Sequence, residues 1–402
     1  MCWFKTVEIP NSFGQAVSNA VFNMGRNALS ALKARSAEVL KNAKESNHQL
    51  ANQSSSSQKS RSTKAEDAVF SNSFSEKVFE FIDSWCGSSI RNAGIKVSPN
   101  YLDFDLIVST YGPIWTHEIA RSIKQNAPEA FWVADFRDPI VNSSRTDTKS
   151  NRELARLVTQ GADLVTAVSE GTLDNLFLDP EMRTSVLVNG FDPDEIPEGV
   201  RATSDRFSLV YTGTLYSDGS CKRDLGPLFE MLGDAIAEGN IDRDKVVVEY
   251  AGTTSYLFQR FAHEYPDVPV VDHGLLARDK ALELQGKASL LVVASWNTSI
   301  QTGVLTGKVF EYLSRGIPII GLCSGDVPNS SLRCLLEECS AGVCYEEADE
   351  GTYRLFSAFI LEQYRQWLET GSTCCDRDAD KKVVQYSYPM LARRLVELVG
   401  TN

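Results

Sequence analysis

The stretch Thr306–Gly321, TGKVFEYLSRGIPIIG, sets Lys308 three residues before Glu311 inside a run that otherwise carries packing residues. Thr306 or Gly307 can begin a helix, so that free backbone N–H groups and the positive end of the helix dipole face a ligand. Lys308 falls in the first turn and Glu311 in the next, within reach of that same ligand, while Phe310 and Leu313 turn inward. The competing arrangement is a Lys308–Glu311 pair on a solvated face, worth about a few tenths of a kcal/mol. A second cluster lies in VYTGTLYSDGSCKRDLGPL. Gly213 allows close backbone approach after an apolar run, and Lys222 and Arg223 bring fixed positive charge to the start of the next helix. A guanidinium can grip two phosphate oxygens at once. This suits an anion; the plainer version is a solvated turn in which Gly213 serves geometry.

Two more groups lie in the first half. In STYGPIWTH, Gly112 and Pro113 make a turn and His117 comes early in the next helix. VADFRDPI packs Asp135, Arg137 and Asp138 into four residues at the end of an apolar run. Charges in such a place need partners. They either reach into a site or close the loop as an Asp–Arg pair. His117 is likewise either a site residue or a surface residue near a helix end.

The elements that must position these residues are legible as short β-branched runs. They are DLIVST (105–110), FWVADF (131–136), DLVTAVS (163–169), SVLVNG (185–190), FSLVYTG (207–213), KVVVEYAG (245–252), VPVVDHG (268–274), SLLVVAS (289–295), IPIIGLC (317–323) and AGVCYE (341–346). Helix-like segments fill most of the gaps. Near-continuous apolar strands alternating with helices predict an α/β protein with parallel sheets covered on both faces. In such sheets ligands bind beyond the carboxyl ends of the strands, which is where the clusters above fall. Six runs follow residue 206 and suffice for a doubly wound domain; four precede it. NGFDPDEIPEGVRATSDR (189–206), rich in Pro, Gly and Asp, reads as the linker.

The opening residues have a different texture. Residues 14–46 carry apolar positions near a 3.6-residue period together with Arg26, Lys33, Arg35, Lys41 and Lys44. This predicts a basic helix, either packed or lying on an anionic membrane surface. NQSSSSQKSRSTKAED (52–67) has no apolar anchor and reads as a flexible loop. The expected organisation is 1–66, helix and Ser-rich loop; 67–200, a first Rossmann-like domain; 201–385, a second; and 386–402, a closing helix.

Composition narrows the function. The 402 residues carry a net charge of −13, which argues against a nucleic-acid-coating surface. Nine scattered Cys without a C-x-x-C pair, with four His, make a zinc site unexpected and point to reduced thiols in the cytoplasm. No run approaches the roughly 18 apolar residues of a membrane span, and the first residues lack a signal-peptide layout. No G-x-G-x-x-G, P-loop, G-x-S-x-G or H-E-x-x-H motif is present.

In order and spacing, STYGPIWTHEIA, WVADFRDPI, GADLVTAVSEG, VLVNGFDPDE, VYTGTLY and TGKVFEYLSRGIPIIG resemble the group 1 (family 4) glycosyltransferases over roughly residues 100–400. The resemblance implies a GT-B fold, two Rossmann-like domains facing across a cleft. It implies transfer of a sugar from a nucleotide-diphosphate donor with retained anomeric configuration, no bound metal and no other cofactor. Gly213 and Thr214 would lie under the diphosphate, and Lys222 or Arg223 would neutralise the leaving group. Thr306, Gly307 and Lys308 would complete the phosphate cradle, with Glu311 accepting the ribose hydroxyls. His117, Asp135 and Arg137 would face the cleft as catalytic residues of the first domain. YSYPMLARRLVELVG looks like the closing helix that packs back towards that domain.

Two departures stand out. The family often has a second Glu eight positions before the ribose-binding one, where this chain has Gly303. The opening strand and Gly-Gly loop of the family have no counterpart in residues 1–100, so the first domain is expected to lack its opening strands. The expected activity is assembly of a cell-surface polysaccharide or glycolipid, on a glycan or lipid-linked acceptor, at the inner face of the membrane through residues 14–46. The departures keep open a non-catalytic or truncated relative acting as a binding or scaffold subunit; a nucleotide-sugar epimerase of the same fold is a third possibility.

Overall fold

The computed structural model describes residues 104–111, 115–138, 140, 148–176, 178–195, 205–216, 221–373 and 382–400, together with Asn92. All the described residues except Asn92 belong to one compact unit, residues 94–402. The basic helix expected at 14–46, the Ser-rich loop at 52–67 and the Gly112–Pro113 turn lie outside the described residues, as does most of the segment where opening strands were sought.

All ten apolar runs form strands. In the first sheet they are β1 (Leu106–Tyr111), β2 (Phe131–Phe136), β3 (Leu164–Ala167) and β4 (Thr184–Val186), in spatial order β1-β2-β3-β4 and all parallel. Among the described residues no strand precedes β1. The crossovers hold helices α1 (Trp115–Asn126), α2 (Thr148–Thr159) and the short α3 (Glu170–Asp174). Trp132, Ala134, Phe136, Val165 and Ala167 are buried against Ala120 and Ala155 of α1 and α2.

The second sheet takes β5 (Phe207–Thr212), β6 (Val246–Ala251), β7 (Val270–Asp272), β8 (Leu290–Trp296), β9 (Ile319–Ser324) and β10 (Gly342–Glu346). Its order is β10-β9-β8-β5-β6-β7, again all parallel. Between the strands run α4 (Gly226–Ala237), α5 (Ser255–Glu264), α6 (Arg278–Gly286), α7 (Gly307–Leu313) and α8 (Ser331–Cys339). After them come α9 (Gly351–Thr370) and α10 (Tyr388–Gly400). β5 is buried along its whole length because successive side chains enter cores on opposite faces. Phe207, Leu209 and Tyr211 pack with Phe229, Phe258, Phe356 and Ile360 of α4, α5 and α9. Val210 packs on the other side with Phe310, Leu313 and Leu336 of α7 and α8. A continuous apolar run is what such a two-sided strand requires.

Strand order reverses between β5 and β8. In an open parallel sheet this is the crevice where ligands bind, outside the carboxyl ends of the strands. After β4 the chain crosses to the second sheet through 189–195, where Phe191 pairs with Ser387 and accepts from Tyr388 N at 2.9 Å. Arg183, just before β4, donates to the Leu398 carbonyl near the end of α10. None of the described helices is long and apolar enough to cross a membrane.

Candidate functional site

Thr306 caps α7 in an extended conformation, and its side chain caps nothing: Thr306 Oγ1 is buried without a hydrogen bond. The space over Gly307 is open, with no atom within 4 Å of where a Cβ would stand. Lys308 Nζ and Glu311 Oε1 do pair, at 2.8 Å, but not on a solvated face, since the Glu311 side chain is 15% exposed. Gln285 Nε2 donates to the same oxygen at 2.7 Å, and Arg278 Nη1 reaches Oε2 at 3.2 Å. Arg278 also pairs with Glu195 of the crossing segment. Burial pushes the Glu311 carboxyl up, but Lys308, Gln285 and Arg278 together outweigh it and hold it below its usual value. The result is an ionised carboxylate beside a cavity of about 370 Å³. Gly307, Lys308 and Arg315 line it from α7 and the turn beyond; Asn189, Phe191 and Tyr388 line it from the crossing segment and α10.

At the end of β5, Gly213 has φ +148 and donates from its N–H to the Ala251 carbonyl. Thr214 Oγ1 lies 3.2 Å from Thr253 Oγ1. Gly252 stands against this turn so closely that a Cβ on it would fall 2.0 Å from the Gly213 carbonyl oxygen. Arg223 is not a free phosphate clamp in this structure. Its guanidinium lies over Tyr216 and Trp296, 4.7 and 5.5 Å from the ring centroids, and Nη1 donates to Thr214 O at 3.3 Å. Its Nε is buried without a partner. Lys222 lines both the cavity beside Arg223 and a groove formed by Thr298, Ser299, Asp326 and Glu347. Gly213, Thr214 and Arg223 therefore gather at the switch point, with Trp296 from the end of β8, and Glu311 is linked to the same place through Gln285 and Thr212 (2.9 Å).

The first-domain residues are placed differently. His117 does not face the cleft: it is 0% exposed and packs 4.7 Å from the Phe136 ring. Trp132 Nε1 donates to Ser109 Oγ at 2.9 Å, and Ser109 lies 2.7 Å from His117 Nδ1. The relay Trp132→Ser109→His117 uses each group once and leaves the proton on Nε2, which has no partner. Burial alone pulls the imidazole down to about 4, so it is neutral at pH 7. The ring enters the core because the early turn of α1 packs against β1 and β2. Asp135 and Arg137 close a loop instead of opening into a site. Asp135, 3% exposed, accepts from Thr166 Oγ1 at 2.7 Å and from Arg137 Nε at 2.6 Å. Arg137 Nη1 then donates to the carbonyls of Leu187 and Val188, which fixes the start of the crossing segment.

Among the described residues, the start of α3 meets the 297–305 loop directly. Ser169, which caps α3, donates from Oγ to the Gly303 carbonyl at 2.6 Å. A Cβ on Gly171 would lie 2.7 Å from Gly303 N, and one on Gly303 would lie 2.5 Å from Ser169 Oγ. Gly303, where the resemblance led one to look for a second glutamate, is thus the point where backbone meets backbone. Sequence reasoning had no signal for this contact, nor for Thr212, Arg278 and Gln285, which sit in ordinary strand and helix text.

No protein-family model and no curated protein matches the chain. Solved structures do. The apo lipopolysaccharide outer core galactosyltransferase WaaB is 13% identical, with 77% of this chain and 79% of that one covered at a TM-score of 0.51. The alpha,alpha-trehalose-phosphate synthase (UDP-forming) from Burkholderia xenovorans, in complex with glucose-6-phosphate, is 14% identical (79% and 77% covered, TM-score 0.53). The E. coli trehalose-6-phosphate structure bound with UDP-2-fluoro glucose is 11% identical (79% and 78% covered, TM-score 0.56). At these identities what is shared is architecture: two Rossmann-like domains facing across a cleft, the GT-B fold.

Proposed function

We propose that the chain is a glycosyltransferase that moves a sugar from a nucleotide-diphosphate donor to a glycan or lipid-linked acceptor. The observation that carries this reading is the Glu311 carboxylate, held ionised beside a cavity and tied to the strand-order switch point. A carboxylate there can accept both hydroxyls of a ribose, and in this reading the Gly213 turn, the open α7 start at Gly307 and Lys222 receive the diphosphate. Similar folds hold UDP-2-fluoro glucose in one case and glucose-6-phosphate in another. In this reading the departing diphosphate is stabilised by backbone N–H groups and by Lys222, with Arg223 joining once it leaves its aromatic stack. The transfer retains anomeric configuration and needs neither a metal nor a cofactor beyond the donor.

The test is thermal denaturation with UDP, GDP, ADP and CDP. A nucleotide at 100 times its dissociation constant stabilises by about 2.7 kcal/mol. One base is expected to raise the melting temperature, and Glu311→Ala to weaken that nucleotide roughly tenfold or more, since hydrogen bonds to a charged group are lost. A Glu311→Ala protein that binds as well as the wild type would remove the ribose role. A second reading, a binding subunit without turnover, is favoured by one observation: His117, Asp135 and Arg137 are all engaged within the first domain. Sugar release from the bound donor separates the two.

For the acceptor side we propose a membrane-surface substrate, reached through the basic residues 14–46. Deleting residues 1–46 is expected to reduce binding to phosphatidylserine vesicles; undiminished binding would end that idea.

A further inference from the structure

The Glu311 network contains a buried amide from a third element, one of whose polar atoms has no partner. Gln285, near the end of α6, is 0% exposed. Its two amide hydrogens go to Thr212 Oγ1 at 2.9 Å and Glu311 Oε1 at 2.7 Å. Its carbonyl oxygen is buried and has no hydrogen bond. These partners set the orientation of the amide. Turned over, its oxygen would face the carboxylate, two acceptors in contact.

A buried acceptor without a donor is destabilising, so packing alone favours an apolar side chain of this length. What the amide accomplishes is a link. Thr212 ends β5 and leads into Gly213 and Thr214; Glu311 is on α7. On the far side Tyr312 OH accepts from Thr212 N at 3.0 Å and lies 2.9 Å from Thr212 Oγ1. Glu311 Oε1 is anchored from two directions, by Lys308 and Gln285. Oε2 meets Arg278, whose side chain is 58% exposed and can yield to a ligand.

We infer that Gln285 is a positioning residue of the donor site: it fixes Glu311 so that the carboxylate meets the ribose hydroxyls of a nucleoside diphosphate seated at the end of β5. This rests on the donor-site reading above. Gln285 touches no ligand and acts through Glu311, so its removal affects ligands that carry the diol and spares those that do not.

The experiment is calorimetric titration of the full chain with UDP, GDP, ADP and CDP, then with the 2′,3′-dideoxy form of whichever binds. Wild type, Gln285→Met, Gln285→Glu and Glu311→Ala are compared. Gln285→Met is expected to weaken the ribose nucleotide roughly tenfold or more and to leave the dideoxy form within about twofold. Its unligated melting temperature is measured alongside, because Thr212 Oγ1 and Glu311 Oε1 each lose a donor while the unpaired buried carbonyl oxygen is removed. Gln285→Glu keeps the shape, sets carboxylate against carboxylate, and is expected to give the same selective loss; it also serves if the Met variant does not fold. Equal losses for both nucleotides, or no loss, overturn the positioning role while Glu311→Ala still loses the ribose preference. If the wild type binds none of the four, or if Glu311→Ala keeps the ribose preference, the donor-site reading falls and the role of Gln285 with it.

Discussion

Gly303→Glu, which would restore the acidic residue common in the family this sequence resembles, is expected to lower the melting temperature by roughly 5–10 °C. Two costs add. Gly303 has φ +74, a left-handed conformation that costs a residue with a Cβ about 1–2 kcal/mol. The Cβ would also stand 2.7 Å from Gly171 Cα and 2.5 Å from Ser169 Oγ, and overpacking of that kind costs about 1–3 kcal/mol. The alternative to bearing the clash is to part α3 from the 297–305 loop, which breaks the Ser169–Gly303 hydrogen bond and opens the cleft. Gly171→Ala tests the same contact with a sign that separates causes. Gly171 lies in α3, where alanine is intrinsically better by about 1 kcal/mol, so helix propensity predicts stabilisation. The contact predicts the opposite, because the new Cβ would meet the backbone of Thr302 and Gly303 at 2.7–2.8 Å. Gly286→Ala, with nothing within 4 Å, is the control. If Gly303→Glu and Gly171→Ala both melt with the wild type, the contact does not hold the domains together in solution.

That contact also marks where the sequence stops being informative. The ten strands were legible because two-sided burial demands unbroken apolar runs, and runs such as FSLVYT and SLLVVASW cannot be mistaken for amphipathic text. Lys308 and Glu311 were legible because three residues apart on a helix means adjacent in space. The same logic fails across elements. Gln285 meets Glu311 from 26 residues away and Thr212 from 73. Neither spacing has a period, and a glutamine in ALELQG looks like any helix-surface residue. Asp135 and Arg137 show the reverse error. Their charge density suggested a site, but the partners that satisfy them, Thr166 and the carbonyls of Leu187 and Val188, are supplied by strand order, which local text does not encode. The glycine at 303 read as a departure that kept a non-catalytic relative open because the family supplied the expectation; its own neighbours explain it as a steric requirement.

Acidification is the other large effect, and His117 is its source. Its folded-state value near 4 lies below the 6.5 of an exposed imidazole, so the unfolded chain takes up the proton first. Stability from this group is fully present above pH 6.5 and is lost as pH falls towards 4. The loss reaches about 3 kcal/mol once the pH is below both values. Carboxylates titrate over part of the same range, so the measurement is a difference: urea midpoints of wild type and His117→Phe from pH 7.5 to 3.5. Phenylalanine keeps an aromatic ring against Phe136 but leaves the Ser109 hydroxyl without its acceptor, so the variant is expected to be less stable by about 1–2 kcal/mol at neutral pH. As pH drops below 6.5 the gap is expected to close and then reverse, because the variant has no imidazole to protonate. A gap that stays constant across the range would mean that water reaches the ring in solution. His117 would then be available to the cleft, and a part in sugar transfer would again be open to it. A gap that closes means a dry, neutral imidazole that shapes α1 and β1, and the chemistry of the first domain must come from other residues.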